Sequence, residues 1–291
     1  MQETEGHVEV PGGRVWYRVA GTGDGTPLLC LHGGPGVPHD VLVPLIEQLG
    51  GDRPLVLYDQ LGAGRSWATD PALFTLERYV AEVDAVRGAL GLDEVHVYGQ
   101  SWGTMLAIAY ALTRPRGVRS YVFSSPVFSV SAYERDAARL RAELPADAQA
   151  TLAHHERHGW TSCAEYAAAA LVYTKRHICR LEPWPECLER AWAGTGPAKD
   201  VLWGSRHGRC EGTLKSFEVM DQIASVDVPS MLIAGRFDEC TPETTLRCAE
   251  LLPRAEVAIF EDSSHLPHLE EPGRHRQVLA GFLERVERAA A

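Results

Sequence analysis

A serine between two glycines is the side chain best placed to act as a nucleophile. The segment Gly99-Gln-Ser-Trp-Gly103 has the pattern G-x-S-x-G, and it joins a predicted strand, residues 95–98, to a predicted helix, residues 105–112. Glycine at both ends permits a tight turn that exposes the serine hydroxyl, and the helix N-terminus there favours developing negative charge. The pattern alone is short enough to occur by chance, but its position between strand and helix predicts that Ser101 is a nucleophile.

The base and the acid are sought after Ser101 in the chain, because a serine hydroxyl is a poor nucleophile until a base takes its proton. On a sheet that carries a serine at such a turn, the acid and then the histidine follow it, at the ends of later strands. Asp238 follows predicted strand 230–234, and His265 follows predicted strand 257–260. Parallel strands end at one edge of a sheet, so Ser101, Asp238 and His265 are predicted to form a catalytic triad.

Other acidic residues compete with Asp238 for the place of the acid. Asp262 and Glu239 could each replace it. Asp59 precedes the nucleophile, which breaks the chain order of the triad, so we expect its carboxylate to hydrogen-bond backbone groups of a loop.

Five other histidines are interpreted as surface groups. His268 lies farther from the strand end than the predicted base, and His275 falls in the last predicted helix. His154 and His158 are one helical turn apart, but no third metal ligand is identifiable, and His-Glu-Arg-His is one residue short of H-E-x-x-H. A solvated helix face that includes His155 is therefore favoured over a metal site.

A glycine-rich segment, Leu31-His-Gly-Gly-Pro-Gly36, follows another predicted strand and resembles the oxyanion loop of lipases and esterases. Glycine is needed in such a loop because the backbone itself must approach the carbonyl oxygen of the substrate. We predict that the N–H groups of Gly34 and Trp102 form the oxyanion hole, and that Gly33 lies at the substrate. A simple β-turn is the alternative for this motif alone.

The elements that must position these residues follow from hydrophobic periodicity. Short apolar runs alternate with amphipathic stretches, which indicates a parallel sheet covered by helices on both faces. From about residue 130 to 221 only helical segments are recognisable, broken by prolines and glycines. The predicted organisation is an α/β core in two parts, residues 1–129 and 225–291, with a helical cap inserted at 130–224. The predicted strands are residues 14–20, 27–31, 55–58, 95–98, 118–123, 230–234 and 257–260.

Composition excludes several classes of protein. The formal charge of −11 over 291 residues repels phosphate backbones, so a nucleic-acid partner is not expected. No apolar run is long enough to span a membrane, and the acidic N-terminus lacks the pattern of a signal peptide. The seven cysteines are scattered and form no C-x-x-C pair, which favours a cytoplasmic location.

Five motifs together resemble the prolyl iminopeptidase family, and they keep its order over nearly the whole chain. They are His32-Gly-Gly-Pro-Gly36, Tyr58-Asp-Gln-Leu-Gly-Ala-Gly-Arg-Ser66, Gly99-Gln-Ser-Trp-Gly103, Gly235-Arg-Phe-Asp-Glu239 with Thr241-Pro242, and Ser264-His265. The resemblance implies an α/β-hydrolase fold, in which a mostly parallel central sheet is flanked by helices and carries an inserted helical cap. It also implies a triad of Ser101, Asp238 and His265.

The resemblance further implies a substrate with a free amino group, held by acidic side chains. Glu239, which follows the triad aspartate, would be one of these carboxylates. Many relatives place a second glutamate in the cap ahead of a Gly-Thr pair, but here His207 stands at that position, and Glu211 or Glu218 would have to substitute. The cap is where specificity would have changed, so an aminoacylated biosynthetic intermediate is a possible substrate.

The expected reaction is hydrolysis of an amide bond that releases an N-terminal amino acid from a short peptide or small molecule, without cofactor or metal. A carboxylesterase or thioesterase on the same scaffold is the alternative, because triad and oxyanion hole do not distinguish leaving groups. A catalytically silent ligand-binding receptor is disfavoured by the intact motifs. Dehalogenase or epoxide-hydrolase chemistry would need a carboxylate in place of Ser101.

Overall fold

A twisted sheet of eight strands forms the centre of the molecule, in a computed structural model that describes residues 2–206 and 208–290. The strand order across the sheet is β1-β2-β4-β3-β5-β6-β7-β8. Strands β1 and β2 are antiparallel to their neighbours, and the remaining strands run parallel to one another. The strands are β1 Gln2–Val10, β2 Gly13–Gly21, β3 Leu28–Leu31, β4 Leu55–Tyr58, β5 Val95–Gln100, β6 Val118–Ser124, β7 Ser230–Gly235 and β8 Ala255–Phe260.

The parallel strands are apolar throughout because both of their faces are covered. In β3, Leu29 and Leu31 belong to one buried cluster, whereas Leu28 and Cys30 belong to a second cluster on the other face. Successive side chains of a strand point to opposite faces, so a continuous apolar run is what a doubly covered strand requires. The seven predicted strands are thus confirmed, each to within a few residues at its ends.

The edge strand β1 was not predicted. It pairs with β2 over its whole length, from Gln2 opposite Gly21 to Val10 opposite Gly13. Much of it is exposed and acidic, and Val8 and Val10 are the side chains that it contributes to the core. A strand with one solvent-exposed face has few apolar residues, so its hydrophobic pattern is weak. For this reason the polar N-terminal segment was not recognised as a strand.

Helices cover both faces of the sheet and form the segment between β6 and β7. Their bounds are α1 Pro44–Leu49, α2 Leu76–Ala89, α3 Trp102–Leu112, α4 Val130–Ala142, α5 Ala146–His158, α6 Ala164–His177, α7 Glu186–Ala193, α8 Ala198–Leu202, α9 Pro242–Leu251, α10 Pro267–Glu270 and α11 Pro272–Ala290. Helices α4 to α8 lie between the ends of β6 and β7. There, α4, α5 and α6 share a separate small core that includes Leu140, Leu152 and Tyr173. Within the described residues no helix is long and apolar enough to cross a membrane.

The surface interpretation of His268 and His275 is wrong, since both side chains are fully buried. The His268 ring donates its Nε2 proton to the carbonyl of Val41 at 2.9 Å, and the Nδ1 proton of His275 goes to the side-chain oxygen of Gln48 at 2.8 Å. The amide of Gln48 also donates to the backbone carbonyl of His268 at 2.8 Å. These residues tie α10 and α11 to α1, so they are structural groups of the core.

The solvated face predicted for α5 is confirmed for His154 and His158, which are exposed, but it is wrong for His155. His155 is 7% exposed, because its ring packs between α5 and the start of α6. The helical period does not show this burial, since the segment that covers His155 comes from the next helix.

Candidate active site

Ser101 lies on a strained turn between β5 and α3. Its backbone has φ 54° and ψ −119°, a left-handed φ that non-glycine residues rarely adopt. A Cβ on Gly99 would lie 2.3 Å from the carbonyl oxygen of Gly103, and a Cβ on Gly103 would lie 2.1 Å from the carbonyl oxygen of Leu31. Both positions therefore require glycine, as the G-x-S-x-G pattern predicted, and the turn presents Ser101 beyond the end of β5.

Asp238 and His265 meet at the same edge of the sheet, in the loops after β7 and β8. The Nδ1 proton of His265 is donated to the Asp238 carboxylate at 2.7 Å, and the same oxygen accepts the N–H of Cys240 at 2.8 Å. The other carboxylate oxygen accepts the hydroxyl of Ser125 at 2.7 Å. Asp238 is 1% exposed, so these donors compensate the burial of its charge. The arrangement leaves Nε2 of His265 as the nitrogen available to a serine hydroxyl.

Ser125 was not singled out from the sequence. It follows β6, has φ 57°, and its hydroxyl also lies 3.0 Å from the backbone oxygen of His265. A serine at the carboxyl end of a central strand was a usable signal, because the neighbouring strands deliver Ser101 and Asp238 to the same edge.

The electrostatic environment of His265 suits a general base. Burial lowers the pKa of the imidazole, but the charge of Asp238 and its hydrogen bond raise it, with further help from Glu239 and Glu270. The net result is a pKa above the ordinary value for histidine. An imidazole that is readily protonated when it takes a proton, and held in one orientation, is the requirement for proton transfer from a serine.

A cavity of about 300 Å³ opens beside these residues, and its lining includes Ser101, His265, Gly34 and Glu239. The cap supplies the opposite wall through Tyr133, Ile178, Leu188, Trp192, Lys199 and Trp203. A larger cavity of about 500 Å³ lies at the other edge of the sheet, near Val118 and Arg285, and contains none of the predicted catalytic residues. The first cavity is the one where the predicted chemistry can take place.

The two residues predicted to supply the oxyanion donors line one small cavity together with Ser101. Gly34 has φ 118°, and a Cβ there would lie 2.6 Å from the backbone nitrogen of Val37, so the loop requires glycine at this position. A small cavity of about 50 Å³ is lined by Gly34, Ser101, Trp102 and Glu239, among others. Gly34 and Trp102 thus lie on the same small cavity as Ser101, as an oxyanion hole requires.

Glu239, the residue predicted to bind the substrate amine, lines the cavity beside Ser101. One of its oxygens accepts the hydroxyl of Tyr133 at 3.0 Å, and it lines both the large and the small cavity next to Ser101. Burial raises the pKa of Glu239 above its ordinary value, although His265 and the tyrosine hydroxyls act in the opposite direction. An ammonium group brought next to this carboxylate would compensate the burial of its charge.

Gly33 and Glu211, which were also predicted to contact the substrate, are absent from the cavity lining. Gly33 is required for a different reason: a Cβ there would lie 2.2 Å from the side-chain oxygen of Gln100, and the described cavity lining contains Gly34 but not Gly33. Glu211 forms an ion pair with Arg206 at 3.1 Å. Neither Glu211 nor Glu218, the two alternatives for a second carboxylate, is among the described residues that line the cavity. His207 lies outside the residues that the structure describes.

Glu218, the other candidate for a second carboxylate, is also engaged elsewhere. Its carboxylate accepts the backbone N–H of Ser131 at 2.8 Å, at the start of α4. Asp59 accepts the backbone N–H groups of His39 and Arg65, each at 2.8 Å, which confirms its expected role in holding a loop. Asp262 is exposed, whereas Asp238 is buried and bonded to the imidazole, which favours Asp238 over Asp262 as the acid.

Three residues of the site are of types that can bind a metal ion. Asp238, Cys240 and His265 bring a carboxylate, a thiol and an imidazole together. However, the carboxylate and Nδ1 of the imidazole are already bonded to each other, and burial raises the pKa of the Cys240 thiol well above its ordinary value. A thiol kept protonated is a poor metal ligand, so this group is better suited to proton transfer than to binding an ion.

Comparison with known proteins agrees with this geometry. A family model described as the alpha/beta hydrolase fold matches residues 26–272. The proline iminopeptidase of Heyndrickxia coagulans is 43% identical over 287 residues, which cover 97% of this chain and 99% of the relative. The solved structure of VinJ has a TM-score of 0.93 at 35% identity, covering 97% of this chain and 99% of that one.

A second solved structure, proline iminopeptidase of Mycobacterium smegmatis, has a TM-score of 0.90 at 32% identity and covers 99% of this chain and 100% of that one. Both the sequence and the structural likeness therefore extend over core and cap alike. The chain belongs to the proline iminopeptidase family of the α/β-hydrolase fold.

Proposed function

We propose that this chain is a serine aminopeptidase, which hydrolyses the amide bond after a free N-terminal amino acid of a short peptide or small molecule. The observation that supports it best is the placement of Ser101, His265 and Glu239 in the lining of one cavity, with His265 hydrogen-bonded to Asp238 at 2.7 Å. A nucleophile, an oriented base and a carboxylate for an ammonium group are the three parts that this reaction needs.

In the proposed first step, Nε2 of His265 takes the hydroxyl proton of Ser101 while the oxygen attacks the carbonyl carbon of the substrate amide. Asp238 keeps the imidazole in the required tautomer and stabilises its charge. The N–H groups of Gly34 and Trp102 stabilise the oxyanion, and a single such donor contributes about 10²–10³ in turnover. Protonated His265 then gives its proton to the leaving amine, and the acyl group stays on the serine.

In the second step, water replaces the leaving amine. His265 takes a proton from the water, the hydroxide attacks the acyl-enzyme, and Ser101 leaves with the proton returned by the imidazole. The products are the free amino acid and the amine, and no cofactor takes part in either step.

Glu239 accounts for selectivity towards a free amine. Its carboxylate lies beside the reacting serine, next to Tyr133, so it can hold a substrate ammonium within one residue's length of the scissile bond. This favours an aminopeptidase over a simple carboxylesterase or thioesterase, since the acyl group of such an ester would bury the carboxylate without a counter-charge.

The arrangement of the chain fits this role. We propose residues 130–224 as a cap that closes over the cavity, between core parts 1–129 and 225–291, because the cap has its own small apolar core. All seven cysteines are free, so the enzyme is proposed to work in the reducing cytoplasm.

A panel of aminoacyl arylamides and acyl esters of similar size tests the function. The wild-type enzyme should hydrolyse an arylamide that bears a free amine far faster than its N-blocked analogue. Glu239→Gln should reduce kcat/KM for the free amine by about 10–100-fold, the loss of one charge-assisted pair, with little change for the blocked analogue. Glu243→Gln is the matched control, because that carboxylate is 74% exposed on α9. Equal activity on free and blocked substrates, or a preference for esters, would refute the proposal.

A further inference from the structure

A second nucleophile, base and carboxylate lie together in the cap, away from the candidate active site. Sγ of Cys163 is 3.2 Å from Nδ1 of His155, and Nε2 of the same ring is 3.4 Å from the carboxylate of Glu165. Cys163 also caps α6, where its sulfur accepts the backbone N–H of Tyr166 at 3.4 Å. The imidazole thus lies between a thiol and a carboxylate, the order in which a base and its orienting group activate a nucleophile.

Cys163 differs from every other cysteine of the chain. It is partly exposed, whereas Cys30, Cys179, Cys187, Cys210, Cys240 and Cys248 are buried. Burial raises the pKa of each of these six thiols above its ordinary value. Buried thiols of this kind are inert, so a soluble reagent should discriminate strongly between Cys163 and the others.

The geometry suits proton transfer better than metal binding. One ligand atom of each residue lies within 4.8 Å of the others, but the thiol and the carboxylate face different nitrogens of His155, so each contacts its own side of the ring. With the ring as it lies, Nδ1 can take the proton of the Cys163 thiol while Glu165 stabilises the positive charge at Nε2. The N–H of Tyr166 remains as a donor to the thiolate.

We propose that Cys163 is a modification site in the cap, activated by His155 and Glu165, that takes low-molecular-weight disulfides. His155 accepts the thiol proton, and the Cys163 thiolate attacks one sulfur of the disulfide. One S–S bond breaks as another forms, which leaves a mixed disulfide on Cys163, and the other half departs as a thiolate that takes up the proton. The incoming disulfide is the oxidant, so no further reagent is needed.

The experiment measures the rate of exchange of the folded protein with oxidised glutathione by intact mass, followed by peptide mapping. One adduct per chain is expected, on the peptide that contains Cys163. Cys163→Ser should abolish it, whereas the control Cys187→Ser should label as the wild type does. The proposal would be overturned if adducts form first on any other cysteine. It would also be overturned if no adduct forms on Cys163 as fast as on a small model thiol.

The role of His155 is tested by the dependence of the rate on pH. His155→Gln should slow exchange about 10-fold near neutral pH, and the difference should vanish at high pH, where hydroxide from solution can take the proton instead. Since His155 is buried, Glu165→Gln is the second variant, with an exposed carboxylate whose loss should slow exchange without affecting the fold. If both variants keep the wild-type rate at neutral pH while their thermal unfolding is unchanged, His155 does not activate the thiol. If one equivalent of Zn²⁺ blocks exchange in the wild type but not in Glu165→Gln, the cluster is a metal site instead.

Discussion

The side-chain oxygen of Gln60 accepts the indole N–H of Trp102 at 2.7 Å. Gln60 also reaches the other side of the candidate oxyanion hole: its backbone N–H donates to Nε2 of His32 at 2.9 Å, and its side-chain amide donates to the His32 carbonyl at 3.1 Å. His32 precedes the loop that carries Gly34. A single glutamine therefore connects the two backbone segments that are proposed to bind the oxyanion.

Gln60→Leu should lower kcat by about 10-fold or more with a smaller change in KM, because misplaced oxyanion donors weaken the transition state rather than substrate binding. The measurement is the steady-state kinetics of an aminoacyl arylamide. Gln222→Leu, at an exposed position between β6 and β7, is the control for loss of a glutamine side chain. An unchanged kcat in a Gln60→Leu protein that still folds would show that Gln60 does not position the hole.

The pH dependence of activity should reflect the raised pKa of His265. The base must be neutral to accept the serine proton, so kcat/KM should fall as the pH drops through the pKa of His265, above the ordinary value of 6.5. Since the negative charge of Glu239 contributes to this rise, Glu239→Gln should move the acid limb to lower pH, measured on a blocked substrate. The same limb in both proteins, or a limb below 6.5 in the wild type, would contradict this electrostatic account.

Two glycine-to-alanine changes should have opposite effects on stability. Gly103→Ala places a methyl group 2.1 Å from the carbonyl oxygen of Leu31, so backbone atoms must move and the free energy of unfolding should fall by about 3 kcal/mol. Gly88→Ala, in the last turn of α2, meets nothing within 4 Å and should raise it by about 0.5–1 kcal/mol. Urea denaturation of both variants measures these differences. Similar effects of the two changes would mean that the turn at Ser101 tolerates a side chain.

Buried neutral histidines should make the fold sensitive to acid. Burial lowers the pKa of His96 and His268 to about 4 each. Between about pH 6.5 and 4 the unfolded chain binds more protons at these positions than the folded one, so the free energy of unfolding falls as the pH falls through that range and is retained above it.

The matching variant is His268→Gln, which keeps a donor for the carbonyl of Val41 but cannot titrate. It should show a smaller loss of stability between pH 6.5 and 4 than the wild type, whereas His7→Gln, at an exposed position, should follow the wild type. Thermal unfolding across this pH range checks the prediction. Identical slopes for all three proteins would show that buried His268 does not titrate in this way.

The sequence predicts the central strands and a parallel sheet covered by helices, because continuous apolar runs leave few other ways to be buried. The α/β-hydrolase fold was implied by the resemblance of the motifs to the prolyl iminopeptidase family. The sequence does not predict β1, whose exposed face is acidic, because pairing with β2 rather than an apolar pattern defines that strand. The burial of His155 and His268 was missed for a similar reason, since the groups that cover these side chains come from other helices. Periodicity within one element cannot indicate a partner that lies elsewhere in the chain.

The sequence motifs predict the catalytic residues of the site better than the residues that surround them. Chain order placed Ser101, Asp238 and His265 at strand ends, and the folded chain brings Asp238 and His265 into contact beside Ser101. Ser125 belongs to no motif, and Gln60 stands in the motif Tyr58–Ser66, which does not show what its side chain bonds to. Their roles are recognised only once the sheet edge is assembled, because their hydrogen-bond partners lie at least 28 positions away in the sequence.

Covalent labelling with a fluorophosphonate probe tests the proposed nucleophile most directly. One equivalent should attach to the peptide that carries Ser101, and labelling should be lost in Ser101→Ala and strongly slowed in His265→Gln. Ser225→Ala, at an exposed position before β7, should label normally. A folded wild-type protein that is not labelled, or that is labelled at another residue, would contradict the account.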